Sequence, residues 1–221
     1  MASDEGWTFD QFQNRGFLER ALRTINFPEA ETPRTFEYGC GTGPAACFLA
    51  SRGFHVEAMD LIPEAIEIGQ SMAEDRDLDV RFAVGDICNL EADGLEHRFD
   101  LVVDSYCLQS VVTDEDRKAL FAAVKTLLVP DGHYLIFTAL WNPDRITGHD
   151  HFFDQNRGIL YQLVRNEDEL DNMIQIDGHW FAPHRRHLTP NQLIQELTSH
   201  GFEVKPDSEI ADGNFICRLA S

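Results

Sequence analysis

The chain predicts an α/β fold in which a parallel sheet carries helices on both faces. Three observations carry that prediction. Short apolar runs alternate with amphipathic segments between residues 35 and 138. A glycine turn, Gly39-Cys40-Gly41-Thr42-Gly43, stands at the first junction of strand and helix. The run 99–103 is apolar except at Asp100, as in a strand covered on both faces.

Each element follows from local chemistry. Residues 7–25 space Trp7, Phe9, Phe12, Phe17, Leu18 and Leu22 as in one or two amphipathic helices. Prolines 28 and 33 mark a linker, and residues 35–38 are the first strand. Pro44 starts a helix to Ser51, because its fixed φ suits the first helical turn, and Gly53 ends it. Strand 54–59 ends at Asp60, helix 63–74 follows, and strand 80–84 closes on Gly85-Asp86-Ile87. After strand 99–103 comes helix 116–128, then a Pro130-Asp131-Gly132 turn into strand 133–138. Residues 139–188 show no clear period. Thr189-Pro190 caps a helix to His200 with Gly201 as its stop, and strands 202–204 and 215–219 pair across Asp212-Gly213.

With 221 residues, 43% of them hydrophobic, the chain can bury a core and is predicted to form one domain over 1–221. Its formal charge of −20 argues against a nucleic-acid surface and against docking on anionic membranes. Five cysteines form no CxxC pair, and the acidic start lacks a secretion pattern, so the expected setting is cytoplasmic, with reduced thiols. No apolar run reaches membrane-spanning length.

The glycine turn is suited to a nucleotide-like ligand, since it brings main-chain N–H groups close to what it holds. Two ligands compete. Gly41-Thr42-Gly43-Pro44-Ala45-Ala46 satisfies the alanine variant of a dinucleotide fingerprint, which would make the protein an NAD(P)-dependent oxidoreductase. Read from Gly39 the fingerprint fails, because Pro44 holds its third position.

The wider set is different. Glu37-x-Gly39-x-Gly41-x-Gly43, Asp60 after the second strand, Gly85-Asp86-Ile87 after the third and Phe99-Asp100-Leu101-Val102-Val103-Asp104 at the fourth together resemble the class I S-adenosylmethionine-dependent methyltransferases. The turn 127–135 and the helix-and-hairpin ending resemble that family too. The resemblance implies a Rossmann-like, mostly parallel seven-stranded sheet with an antiparallel C-terminal strand. It implies S-adenosyl-L-methionine as cofactor and a small-molecule methyl acceptor.

By position the resemblance also implies roles. Gly39, Cys40, Gly41 and Gly43 would approach the methionine and ribose portions, and Glu37 would orient the amino end. Asp60 would accept from the ribose hydroxyls. Asp86 would accept from the adenine amino group, and Ile87 would present its N–H to the ring. Asp104 and Ser105 would line the floor, with Leu61 and Leu108 on the apolar faces. Local alternatives stand beside these: Asp60 and Asp86 can cap turns, and Leu61 and Leu108 can be plain core.

Methyl transfer from a sulfonium needs alignment and desolvation more than a strong base, so no obligatory catalytic residue is legible. The segment Asp104-Ser105-Tyr106-Cys107-Leu108-Gln109 departs from the motif of enzymes that methylate DNA amino groups. The insertion 139–188 is the expected substrate-specifying region. His149, His151 and Gln109 are candidate catalytic groups. No tight zinc spacing is present, so no metal is predicted. Trp141, Arg145, Trp180, Arg185 and Arg186 are candidate substrate contacts, as alternatives to packing or ion pairing. Residues 1–30 are a candidate lid, with Trp7 and Phe12 toward substrate and Arg15 toward the cofactor carboxylate. A non-catalytic, cofactor-binding regulatory protein is the remaining reading.

Overall fold

The computed structural model describes residues 8–27, 32–90, 97–142, 149–165, 171–205 and 212–220. In chain order its elements are α1 (Arg15–Thr24), β1 (Arg34–Tyr38), α2 (Pro44–Ser51), β2 (His55–Asp60), α3 (Pro63–Glu74) and β3 (Val80–Val84). Then come β4 (Phe99–Ser105), α4 (Asp114–Leu127), β5 (Leu128–Phe137), β6 (His151–Asp154) and β7 (Ile159–Leu163). The chain continues through β8 (Ile174–Ile176), β9 (His179–Arg186), α5 (Pro190–Ser199), β10 (Phe202–Lys205) and β11 (Asn214–Leu219).

Seven strands form the main sheet in the order β10-β11-β5-β4-β1-β2-β3. β1, β2, β3, β4 and β5 pair in parallel, and β11 runs antiparallel to both its neighbours. Strand order reverses between β1 and β4, so the two crossovers leave a crevice at the carboxyl ends of these strands. Alternation along β4 builds both faces. Val102 joins Tyr38, Phe121, Tyr134 and Phe202 on one side. Leu101 and Val103 join Leu18, Phe48, Leu49 and Phe137 on the other. Each fully buried side chain of this size contributes roughly 1.5–3 kcal/mol.

The helices start where the sequence supplies caps. Pro44 and Pro63 occupy first-turn positions of α2 and α3. Thr113 caps α4 by accepting from the Asp116 N–H, and Thr189 with Gln192 forms a capping box on α5. α1 buries Phe17, Leu18 and Ala21, with Phe17 edge-on to Phe137 at 4.6 Å. Among the described residues no helix is long and apolar enough to cross a membrane.

Two expectations are corrected. Residues 130–132 do not precede β5 but lie within it. The register slips from Phe99↔Leu128 to Leu101↔His133, so the extra residues form a bulge against β4. The aperiodic region 139–188 holds a second, four-stranded antiparallel sheet in the order β6-β7-β9-β8. Its strands are three to eight residues long, too short for periodicity to register. Asp177-Gly178 turns β8 into β9 with φ values of 50° and 82°, a hairpin signal present in the sequence. Ile159, Tyr161 and Phe181 from this sheet pack on Val112. The segment enters and leaves the main body at one point, where the Trp141 N–H donates to the Leu188 carbonyl at 2.9 Å.

Candidate functional site

The carboxyl ends of β1, β2 and β4 converge on the glycine turn. The Cys40 N–H donates to the Met59 carbonyl at 3.0 Å, and the Gly41 N–H donates to Oδ2 of Asp60 at 2.7 Å. Oδ1 of Asp60 accepts from the Ile62 N–H at 3.0 Å. Asp60 thus holds the turn and the start of α3 in one register, and each oxygen keeps a lone pair for a further donor. The three glycines differ. A Cβ at Gly39 would run into Cys107, and one at Gly43 would lie 2.5 Å from the Phe82 ring, so these two permit close packing. Gly41, at φ 55°, meets nothing within 4 Å and faces open space.

Glu37 and Asp104 lie beneath the crevice, both fully buried. Ser105 Oγ donates to Oε1 of Glu37 at 2.5 Å and accepts from Asn14 Nδ2 at 3.0 Å. Oε2 of Glu37 is buried without a partner. Burial, opposed by the Ser105 hydrogen bond, pushes the Glu37 carboxyl up to about 8. Asp104 turns inward. Its Oδ1 accepts from the N–H groups of Cys107 at 3.0 Å and Leu108 at 2.8 Å, and burial raises it to about 7. Between them Tyr106 takes φ 65°, a left-handed conformation that costs a non-glycine residue about 1–3 kcal/mol.

Two cavities flank this turn and share Gly39 and Tyr106. The smaller, about 410 Å³, runs between Glu37 and the glycine turn on one side and Phe12, Gln13, Tyr106 and Gln109 on the other. The larger, about 780 Å³, is lined by Asp60, Leu61, Asp86, Ile87 and Val112, with Pro183 and Arg185 reaching in from β9. Asp86 accepts at Oδ1 from the Cys88 N–H at 2.9 Å and at Oδ2 from Asn89 Nδ2 at 2.7 Å, capping the turn that carries Ile87.

Of the sequence-predicted residues, Glu37, Gly39, Cys40, Gly41, Ser105, Phe12 and Gln109 meet around the smaller cavity. Asp60, Leu61, Asp86, Ile87 and Arg185 meet around the larger. Gly43 lies beneath the turn. Others stand apart. Asp104 and Leu108 line neither cavity: Oδ1 of the carboxylate is spent on the turn while Oδ2 is buried without a partner, and Leu108 is core. Arg15 donates to Glu19 and to the Asp10 carbonyl and lies 5.4 Å from the Phe48 ring centre, away from the cavities. Trp141 stacks on Phe153 at 4.0 Å, and Trp180 is 48% exposed on β9. Arg186 donates to Asp114 and to the Val112 carbonyl, fastening the small sheet to α4. His149 and His151 line neither cavity. Among the described residues no three His, Cys, Asp or Glu side chains are arranged to hold a metal. Trp7 and Arg145 lie outside the described residues.

The sequence reading passed over three residues. Asn14, just ahead of α1, carried a helix-cap signal. Tyr106 carried none, since its conformation is set by tertiary contacts. Arg117, 2% exposed, donates to the Leu108 and Val111 carbonyls and grips Glu196 with two nitrogens. In the sequence it reads as one more helix surface charge.

Residues 36–132 match the family model described as a methyltransferase domain. Over 110 residues the chain is 31% identical to the 2-heptyl-1-hydroxyquinolin-4(1H)-one methyltransferase of Mycobacteroides abscessus, covering 48% of this chain and 47% of that protein. It is 24% identical to a ubiquinone biosynthesis O-methyltransferase of Rickettsia typhi, over 69% of this chain and 74% of that protein. The structure of the CcbJ methyltransferase from Streptomyces caelestis superposes with a TM-score of 0.69 at 19% identity, over 99% of this chain and 94% of that one. The match spans about half the length of most of the curated relatives. The strand order and the superposition give the chain the fold of these solved methyltransferases, and the matched segment, residues 36–132, is similar to their methyltransferase domain.

Proposed function

We propose that this protein binds S-adenosyl-L-methionine across the glycine turn and catalyses transfer of its methyl group to N, O or S of a small-molecule acceptor. The observation that carries the proposal is the pair of neighbouring cavities that share Gly39 and Tyr106, with a buried, half-unpartnered Glu37 in one and Asp60 with Asp86 in the other. The chain's own atoms fit that group: Gly41 leaves the cradle open, and the Glu37 carboxyl has an oxygen without a partner for an ammonium. Asp60 has lone pairs for ribose hydroxyls, and the Ile87 side of the larger cavity suits adenine.

When bound, the cofactor supplies a methyl group on a positively charged sulfur. The protein's part is alignment and exclusion of water. The glycine turn and Glu37 fix one side of the reacting centre. The opposite wall, Phe12, Tyr106 and Gln109, would orient the acceptor. The small sheet would restrict access from the adenosine side through Pro183 and Arg185. The named relatives act on a hydroxyquinolone and in ubiquinone biosynthesis, which supports a small-molecule acceptor.

Titration calorimetry with S-adenosylmethionine, S-adenosylhomocysteine and NADH tests the binding. Heat with NADH alone would overturn the reading. Release of S-adenosylhomocysteine with any acceptor would exclude a purely regulatory protein.

A further inference from the structure

Gln109 is held in one orientation. The Ala139 N–H donates to its Oε1 at 2.7 Å, and an N–H can only donate, so the side-chain oxygen must face Ala139. Ala139 is itself fixed at its other end, because its carbonyl accepts from Nδ1 of His187 at 2.8 Å. Gln109 lines the smaller cavity, and its NH2, which can only donate, is the end of the amide that Ala139 does not engage. The rest of that wall is Phe12, Gln13, Tyr106 and Ala139. Among the described residues lining the cavity there is no Lys, Arg or His, and Glu37 is the only carboxylate.

These facts restrict what can react there. An amide NH2 on this wall favours an acceptor that carries negative charge on oxygen over a neutral amine or thiol. None of the described residues lining the cavity is a histidine that could take a proton, so a hydroxyl acidic enough to ionise in water suits it best. We propose that Gln109 determines acceptor specificity by donating to the oxyanion of an acidic hydroxyl compound, a phenol, enol or N-hydroxy heterocycle, so that the protein methylates oxygen. This assignment rests on the methyltransferase reading above. The hydroxyl proton passes to water before attack. A lone pair of the oxyanion then forms the new O–CH3 bond while the C–S pair returns to sulfur, leaving a neutral thioether and a neutral ether. The Gln109 amide holds the oxyanion in line and lowers the cost of taking it out of bulk water.

The test combines an acceptor panel on the native protein with one substitution. Phenols, N-hydroxy heterocycles, primary amines and thiols are assayed for S-adenosylhomocysteine, and the first two classes are expected to dominate. Gln109→Glu keeps an oxygen on the Ala139 N–H but replaces the donor with a charge. Its kcat/KM for phenols is expected to fall roughly 10- to 100-fold, the range for losing a hydrogen bond to a charged group. The Kd for S-adenosylhomocysteine is expected to stay unchanged. Preference for amines or thiols would overturn the assignment and leave the methyltransferase reading in place. So would undiminished phenol turnover by Gln109→Glu. Absence of heat with either S-adenosylmethionine or S-adenosylhomocysteine would overturn that reading and this assignment with it.

Discussion

Ser105 donates a 2.5 Å hydrogen bond to one oxygen of the Glu37 carboxyl and leaves the other oxygen buried and unpartnered. Asn14, at the foot of α1, donates to the same serine. The head of the N-terminal helix is therefore linked through two hydrogen bonds to the acid under the glycine turn. An acid so placed is costly to ionise until a cation reaches it.

Stability should report that cost. Glu37 titrates near 4.5 when exposed and near 8 when folded, so the folded state binds the extra proton between those values. The contribution is fully present below pH 4.5 and is lost as pH rises through 8. Glu37→Gln, which stays neutral, should gain on the native protein in thermal melts as pH goes from 5 to 8.5. A constant difference across that range would contradict the burial account.

Cofactor binding should release a proton. A cationic amino group beside Glu37 favours its carboxylate, so binding near pH 7 expels the proton held there. Calorimetry in two buffers of different ionisation enthalpy measures this directly. Release is expected in the native protein and absent in Glu37→Gln.

Asp60→Ala should weaken S-adenosylhomocysteine binding by roughly 10- to 100-fold, since one carboxylate supports both the Gly41 N–H and the expected ribose hydroxyls. Asp60→Asn retains an acceptor for Gly41 and should fall between Asp60→Ala and the native protein. Equal affinity in all three would remove Asp60 from the site.

The glycines should separate fold from binding. Gly43→Ala drives a methyl into Phe82 and should destabilise by about 1–3 kcal/mol. Gly41→Ala meets no atom, so its cost to the fold is about 1 kcal/mol of backbone strain, while its methyl narrows the cradle. Melting temperature should fall more for Gly43→Ala and affinity more for Gly41→Ala.

Arg117→Met should be a damaging change outside the cavities, at about 3 kcal/mol, because it removes both hydrogen bonds to Glu196, which keeps its ion pair with Arg186, and strands two carbonyls. Chemical denaturation gives the number.

The main sheet was legible because each β–α step carries its own local signs: an apolar run, an acid or glycine at the strand end, a proline or threonine opening the helix. α2, α3 and β3 fall on the predicted residues for that reason. The fingerprint acids were legible as a set, yet what Asp104 does was not. Its sequence neighbours do not reveal that its carboxylate points inward to Cys107 and Leu108. The small sheet escaped notice because its strands are short and its two hairpins are joined only by the non-consecutive β7–β9 pairing; Asp177-Gly178 marked one hairpin locally. For Arg15 and Arg186 the sequence left ligand contact and local packing or pairing open. Arg15 pairs with Glu19 within α1, and Arg186 pairs with Asp114 of α4, which needs the tertiary fold to see.

The small sheet has a further consequence, which lies in how it is attached. It leaves at Trp141 and returns at Leu188, residues joined by a single backbone hydrogen bond. The distance from β5 to α5 is thus independent of how much chain lies between those residues. Chain can be added or removed at the far turns of the small sheet without moving the seven strands that hold the glycine turn, provided the contacts to Val112 and Asp114 are kept.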